Sequence, residues 1–473
     1  MPTQPAKRAR KAQRPQSRQP ELAVSKEARA WIEKILSVFS KRNVQRWARQ
    51  TGFVKRSKQL KSFDFLIMMV FTQMASLAPS LEAMAAYLDH QISRVALHYR
   101  FSREASEFLW ACLEWIMQQS QQIQLMLQTD LLKPFPRVLI HDSSSWDLPP
   151  ALQTAFAGSG GSASPANCKI HLTYELKRGL LQKLQLTAGK NPDQAFRPEL
   201  VDQVQAQDLV ITDLGFFSLL FFAALIQKQA YFVSRFLIGT QLWTADTLKP
   251  FSLDRVLKKA TGDAYQQLVL MGTDARLPCR LIGLRVPQDI AQQRRRQLRK
   301  AAKKKGRTPS QRHLDLCAWT LLVTNAPDAL LPAPKVRTFY RLRWQIELIF
   351  KQFKSILRIH HCRTTKKYRM LCELYGKLIA AVIVHSLHGQ VNAELWNRQH
   401  QQLSFDKFWK RFQERALTYF QASLISLNHF LRSFLRELPK LLKACLKCRQ
   451  PSRLTSLQQL ETVEHLNFEA FPI

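Results

Sequence analysis

The chain has 473 residues, and its 71 Lys and Arg against 34 Asp and Glu leave a net charge of +37. With 46% hydrophobic and 10% aromatic residues it has material for buried cores, which excludes a disordered basic tail. A surplus of this size points to a polyanion, nucleic acid first, through phosphate neutralisation and counterion release, and away from small-metabolite enzymes.

Residues 1–24 read as a disordered basic arm, with Lys7, Arg8, Arg10, Lys11, Arg14 and Arg18, four prolines in the first twenty positions and no acid among them. From 25 to 130 apolar residues recur at helical steps, as in Ile32, Ile35, Leu36 and Phe39, which predicts a helical DNA-binding domain. Within it, residues 79–102 read as two short helices around a turn. A helix-turn-helix has this layout, and so does a plain helical hairpin.

After Asp130 the pattern changes. PRVLIHD (136–142) predicts a buried strand ending in an acid, and a Gly/Ser-rich loop follows at 158–167. Alternating segments 168–179 and 180–189 meet at Arg178-Gly179 as a hairpin. A helix at 193–206, the strand DLVITD (208–213), a helix at 218–229 and the strand YFVSRFLI (231–238) complete a βββαβαβ order. That order, with carboxylates closing two strands, predicts an RNase H-like core over 131–239 and 334–365, so the fold class is α/β with helical N- and C-terminal regions. Residues 240–333 read as a β-rich insertion. It contains RRRQLRKAAKKKGR (294–307), nine basic residues in fourteen, a run whose self-repulsion favours a phosphate partner over a merely solvated helix face. Residues 366–473 read as helical.

The longest apolar run, Leu214 to Ile226, falls short of the roughly 20 residues a spanning helix needs, and the first residues lack the apolar stretch of a secretory leader. Eight scattered cysteines fit reduced thiols, and the one CxxC, Cys445 and Cys448, reads as two thiols on a helix rather than a zinc site. A cytoplasmic, nucleoid-associated protein with no membrane partner is expected.

The richest stretch is FYRLRWQIELIFKQFKSILRIHH (339–361). On one helix, Leu342, Ile346, Ile349, Phe350, Phe353, Ile356 and Leu357 form the core stripe, and Tyr340, Arg343, Glu347 and Lys354 share an arc of roughly 60° beside it. A simple Arg343–Glu347 ion pair is the plainer reading of that arc. Asp142 and Asp213, however, end strands that lie side by side in the expected sheet, and the helix bearing Glu347 packs across them. Three converging carboxylates make a hard oxygen site for two Mg²⁺ or Mn²⁺ ions, suited to in-line phosphodiester displacement. Asp147, beyond the strand and before Leu148-Pro149-Pro150, is the weaker rival to Asp142.

Tyr340-x2-Arg343-x3-Glu347-x6-Lys354 resembles the YREK motif of one group of bacterial insertion-sequence DDE transposases, and HDSSSW (141–146) and TDLGFF (212–217) resemble its two aspartate regions. The resemblance covers about 130–360; Leu214 stands where a polar residue is expected, and nothing beyond Leu371 matches by name. It implies that Asp142, Asp213 and Glu347 are the catalytic, metal-binding triad, and that Tyr340, Arg343 and Lys354 hold phosphates of the non-transferred strand. It further implies that Trp319 stacks a base flipped from a hairpin end, where a buried strand tryptophan is the alternative. The implied activity is binding of terminal inverted repeats followed by strand cleavage and transfer on double-stranded DNA, by at least a homodimer. A non-catalytic DNA-binding derivative and a nuclease that only hydrolyses are the alternatives.

Overall fold

The computed structural model describes residues 40–447, apart from 56–59, 76–78, 89–91, 124 and 161–163, together with 26, 30, 32–34 and 458. The basic arm and Cys448 lie outside the described residues. Serine hydroxyls start the N-terminal helices: Ser40, Ser80, Ser93 and Ser102 each accept the backbone N–H three residues on. They open α1 (Lys41–Gln50), α3 (Leu81–Ala86), α4 (Arg94–His98) and α5 (Arg103–Gln121). The stretch 79–102 therefore holds two short helices, the second only five residues long. Helix α2 (Ser62–Ala75) is apolar on nearly every side and is buried accordingly.

The strands β1 (Val138–Leu148), β2 (Ala166–Glu175), β3 (Leu180–Ala188), β4 (Leu209–Ile211) and β5 (Tyr231–Arg235) align in the order 3-2-1-4-5. The first three are antiparallel, while β4 and β5 run parallel to β1 and to each other, connected through α6 (Arg197–Gln203) and α7 (Leu219–Gln227). This is the RNase H-like arrangement.

The sheet does not stop there. β6 (Leu242–Thr244), β7 (Ala264–Met271), β8 (Leu277–Arg285) and β9 (Trp319–Thr324) extend it antiparallel, because β9 pairs with β5. The inserted strands thus continue the core sheet into nine strands rather than folding apart from it. Helices α8 (Leu253–Lys259), α9 (Gln288–Lys304) and α10 (Gln311–Leu316) pack around this added half.

Two apolar cores flank the sheet, and strand alternation sorts residues between them. Val138, Ile140, Leu209 and Ile211 face the larger core, shared with α2, α5, α11 (Ala333–Leu342), α12 (Trp344–Ser355), α13 (Lys367–Gln399), α14 (Phe405–Glu414), α15 (Ala416–Ile425) and α16 (Leu427–Cys445). Leu139 and Val210 face the smaller one, filled by Phe196, Phe221, Phe222 and Phe232.

Helix α13 is long and apolar enough to cross a membrane, but 94% of its most apolar window is buried within the protein. Its tight fit needs two glycines. A Cβ on Gly376 would lie 2.7 Å from the Met69 carbonyl oxygen of α2. One on Gly389 would lie 2.9 Å from the Arg178 carbonyl at the β2–β3 turn, where Gly179 takes φ +69°. Cys445 is buried at the end of α16.

Candidate active site

β1 does not end at Asp142. It runs on to Leu148 because the hairpin partner β2 keeps pairing with it as far as Ala166. What stops is β4: parallel pairing closes at Ile140 with Ile211, so Asp142 and Asp213 both stand just past the last paired residues. Parity with Ile140 and Ile211 turns both toward the larger core, where α12 contacts β1. Asp213 precedes a single helical turn, yet its side chain makes no capping bond there. Asp147 accepts from Asn167 at 3.0 Å on the exposed far end of β1 and takes no part in the cluster.

The motif segment is two helices rather than one. α11 ends at Leu342 and α12 begins at Trp344, with Arg343 between them in helical backbone conformation (φ −51°, ψ −32°). Because Arg343 stays helical, the motif side chains still reach a common face. The Tyr340 hydroxyl donates to Asp213 Oδ1 at 3.1 Å. The Arg343 guanidinium donates to Asp142 Oδ2 at 3.2 Å and, on its other nitrogen, to Glu347 in a very short ion pair. Lys354 Nζ donates to the Ser145 carbonyl at 3.0 Å, clamping α12 to β1. Tyr340 and Arg343 thus meet the two aspartates directly, Glu347 joins them through Arg343, and Lys354 meets β1 further along.

The electrostatics reflect crowding of acids. Burial, with added repulsion from Asp213 and Glu347, pushes Asp142 up to about 6, against the pull of the Ser143 N–H and Arg343. Burial and the neighbouring Asp213 raise the Tyr340 phenol, so it stays protonated and donates. Arg343 is raised despite burial, because Asp213, Tyr340 and Glu347 surround it. Burial lowers Lys354. Among the described residues no three His, Cys, Asp or Glu side chains close into a ready ion cage. Instead one guanidinium lies among the acids and takes up their charge.

Beside this cluster opens a groove of about 1060 Å³, running from Asp213 and Tyr340 past Arg235, Arg337 and Arg341 to Arg294 of α9. Burial and the nearby Arg235 and Arg337 lower Arg294, the mark of cations gathered without enough acid. Sequence reasoning overlooked Arg337 and Arg235. Arg337 lies three residues before Tyr340 on the same helix face, and Arg235 closes β5 much as Asp213 follows β4, so both signals were present. The basic run itself divides. Arg294 donates to the Trp319 carbonyl at 3.0 Å and Arg295 to the Leu314 carbonyl at 3.0 Å, anchoring the helix, while Arg296, Arg299, Lys300 and Lys303 face outward.

Trp319 lines the groove but is only 6% exposed, packed in the smaller core. The Arg285 guanidinium lies over its ring, 4.4 Å from the centroid. A base stacking on that covered face must displace Arg285.

The family described as the transposase DDE domain matches residues 133–383, which span β1, both aspartates and the whole Tyr340–Lys354 motif. The chain is 29% identical over 423 residues to the transposase of insertion sequence element IS231F from Bacillus thuringiensis subsp. israelensis, covering 85% of this chain and 88% of that one. It is 27% identical to the transposase of IS1151 from Clostridium perfringens, over 76% of this chain and 80% of that one. Among solved structures, a piggyBac transposase synaptic complex with hairpin DNA aligns over 94% of this chain and 91% of its own at a TM-score of 0.45 and 11% identity. With the family matched over more than half its length, the chain belongs to the DDE-domain transposases.

Proposed function

We propose that this transposase recognises the terminal inverted repeats of an insertion sequence and catalyses divalent-metal-dependent strand cleavage and strand transfer at Asp142, Asp213 and Glu347. The observation that carries this reading is the joining of three acids from β1, the end of β4 and α12 through two motif side chains, Tyr340 on Asp213 and Arg343 on Asp142 and Glu347. The donor set fits a hard cation: carboxylate oxygens only, with Asp142 pushed up by burial and by its acidic neighbours. A pair of Mg²⁺ or Mn²⁺ ions there supplies activation of a water or 3′-hydroxyl nucleophile and stabilisation of the leaving oxygen.

The protein's own residues do the positioning. Arg343 and Tyr340, both able to bond a phosphate as readily as a carboxylate, hold the non-transferred strand beside the acids. Lys354, fixed against β1, adds a second cation at the far end of the helix. The arginine-lined groove continues the track toward α9, and its side wall holds Trp319, the residue that would receive a flipped base from a hairpin end. Action on two ends at once calls for a homodimer.

The test is cleavage of a duplex carrying the element's end in Mg²⁺ or Mn²⁺. Glu347→Gln and Asp142→Asn are expected to lose at least roughly a thousandfold in cleavage while keeping DNA affinity within a few fold. A wild-type chain that binds ends but never cleaves them is a non-catalytic derivative. One that cleaves and never joins strands is a hydrolytic nuclease.

A further inference from the structure

Asp142 sits between two residues that point away from it. Strand alternation sends His141 and Ser143 to the opposite face of the sheet, toward the smaller core. The carboxylate is nevertheless governed from that face, because its Oδ1 accepts the backbone N–H of Ser143 at 2.8 Å. Wherever the Ser143 peptide lies, that oxygen follows.

The Ser143 peptide is itself gripped. The Ser143 hydroxyl donates to Asp193 Oδ1 at 2.7 Å, and the Lys169 ammonium of β2 pairs with the same oxygen at 3.0 Å while donating to the Asn191 carbonyl at 2.6 Å. On the other side of Asp142, the His141 ring stacks on Phe196 at 4.9 Å and 8°, and His171 stacks on Phe196 at 4.7 Å and 8°. Phe216, three residues past Asp213, meets His141 edge-on at 4.7 Å, and Arg197 donates to the Phe217 carbonyl at 3.0 Å. The five residues from Asp193 to Arg197 thus hold β1 on both sides of one catalytic acid and the loop that follows the other.

We propose that Asp193 is a positioning residue for the metal site, fixing Asp142 through the Ser143 hydroxyl and peptide. It acts through the Ser143 hydroxyl, whose hydrogen bond it accepts while pairing with the Lys169 ammonium. Its bond to Ser143 is charge-assisted and short, so it sets a geometry rather than merely filling space. Mg²⁺ in particular demands near-ideal octahedral ligands, and partners that orient ligands govern affinity for this reason. The proposal rests on Asp142 being an ion ligand.

The test titrates Mn²⁺ into the full-length chain and reads free Mn²⁺ by electron paramagnetic resonance, with Asp142→Asn as the reference. Asp193→Asn and Ser143→Ala are expected to weaken the site that Asp142→Asn removes by roughly tenfold or more. The Mg²⁺ midpoint for end cleavage rises by a similar factor, saturating metal restores the plateau rate, and the metal-free melting temperature holds. Wild-type Mn²⁺ affinity in both variants, with melting lowered, makes the contact structural and overturns the proposal. If Asp142→Asn and wild type bind Mn²⁺ alike, the ligand assignment fails instead and takes the proposal down with it. Should Asp193→Asn not fold, Ser143→Ala decides alone, since it removes one hydroxyl and leaves Asp193 paired with Lys169.

Discussion

The nine-stranded sheet has two halves of opposite character. Its first half, β3-β2-β1-β4-β5, gathers acids where the parallel strands stop: Asp142, Asp213 and, from the helix above, Glu347. Its added half, β9-β8-β7-β6, is antiparallel and brings cations, with Arg294 in the groove and Arg296, Arg299, Lys300 and Lys303 facing out from α9. Pairing of β9 with β5 sets the two side by side, so the acid cluster and the arginine-lined groove meet at Tyr340 and Arg343. A surplus of +37 thus coexists with a cluster of acids because the two are segregated on one scaffold rather than mixed.

Arg343 stands on the boundary, and outside the acids themselves its removal has the largest expected effect. It pairs with Asp142 and Glu347, and in the proposed function a phosphate of the DNA competes for it. Arg343→Gln is therefore expected to cut end cleavage by roughly a hundred- to a thousandfold, as loss of one preorganised charge donor does. The same change tightens Mn²⁺ binding to the DNA-free chain, because no guanidinium competes for the acids. By linkage, DNA and metal bind the wild type cooperatively, and that coupling disappears in the variant. Metal affinity unchanged by Arg343→Gln in calorimetry would break the link between the halves.

Neutralising the exposed face of α9 tests the cationic half alone. Gln at Arg296, Arg299, Lys300 and Lys303 together is expected to lower DNA affinity by on the order of tenfold to a hundredfold near physiological salt. The slope of log affinity against log salt should fall by about three to four. These side chains are exposed, so melting stays near wild type. An unchanged salt slope would make the run a solvated helix face.

How far each half could be read from the sequence follows from range. β1 and β4 announce themselves as apolar runs ending in acids, and the Tyr340–Lys354 spacing survives the break at Arg343 because that residue keeps helical dihedrals. The joining of the insertion to the core was not legible. It depends on β9 finding β5 some ninety positions away, such as Thr324 opposite Val233, which no local pattern encodes. Nor did the basic run disclose that Arg294 and Arg295 anchor the helix: burial is a tertiary fact, and all nine side chains look alike in a row. Asp193 was silent for a similar reason, since its partner Ser143 lies 50 positions away.

The acidic half is also expected to carry the pH sensitivity. Burial lowers His171 beneath the site to about 4 and His385 behind the motif helix to about 3, so both fold neutral. The unfolded chain takes up these protons first as pH falls below 6.5. Their stability is therefore full above that point and is lost toward pH 4, by on the order of 1–2 kcal/mol each at pH 5. Asp142, held up to about 6, acts in the other direction over the same range, but one carboxylate does not offset two histidines. Melting temperature should fall steadily from pH 6.5 to 4.5. His385→Phe should flatten the curve, because a ring still stacks on Phe405, where the centroids lie 4.0 Å apart, and no proton is left to take up.

The smallest effect separates the two readings of Trp319. Arg285 covers its ring and is itself exposed, held by the Ala260 carbonyl at 2.7 Å. A cation over an aromatic face at such a site contributes about 0.5–1 kcal/mol, so Arg285→Ala should barely shift melting. If the ring exists to take an unpaired base, uncovering it removes a competitor, and a duplex end with one extruded base should bind roughly two- to fivefold tighter. If Trp319 is only core, the variant merely loses one exposed cation and the same duplex binds slightly weaker. The two outcomes have opposite signs, so even a small change in affinity, read against a fully paired duplex as control, assigns the tryptophan.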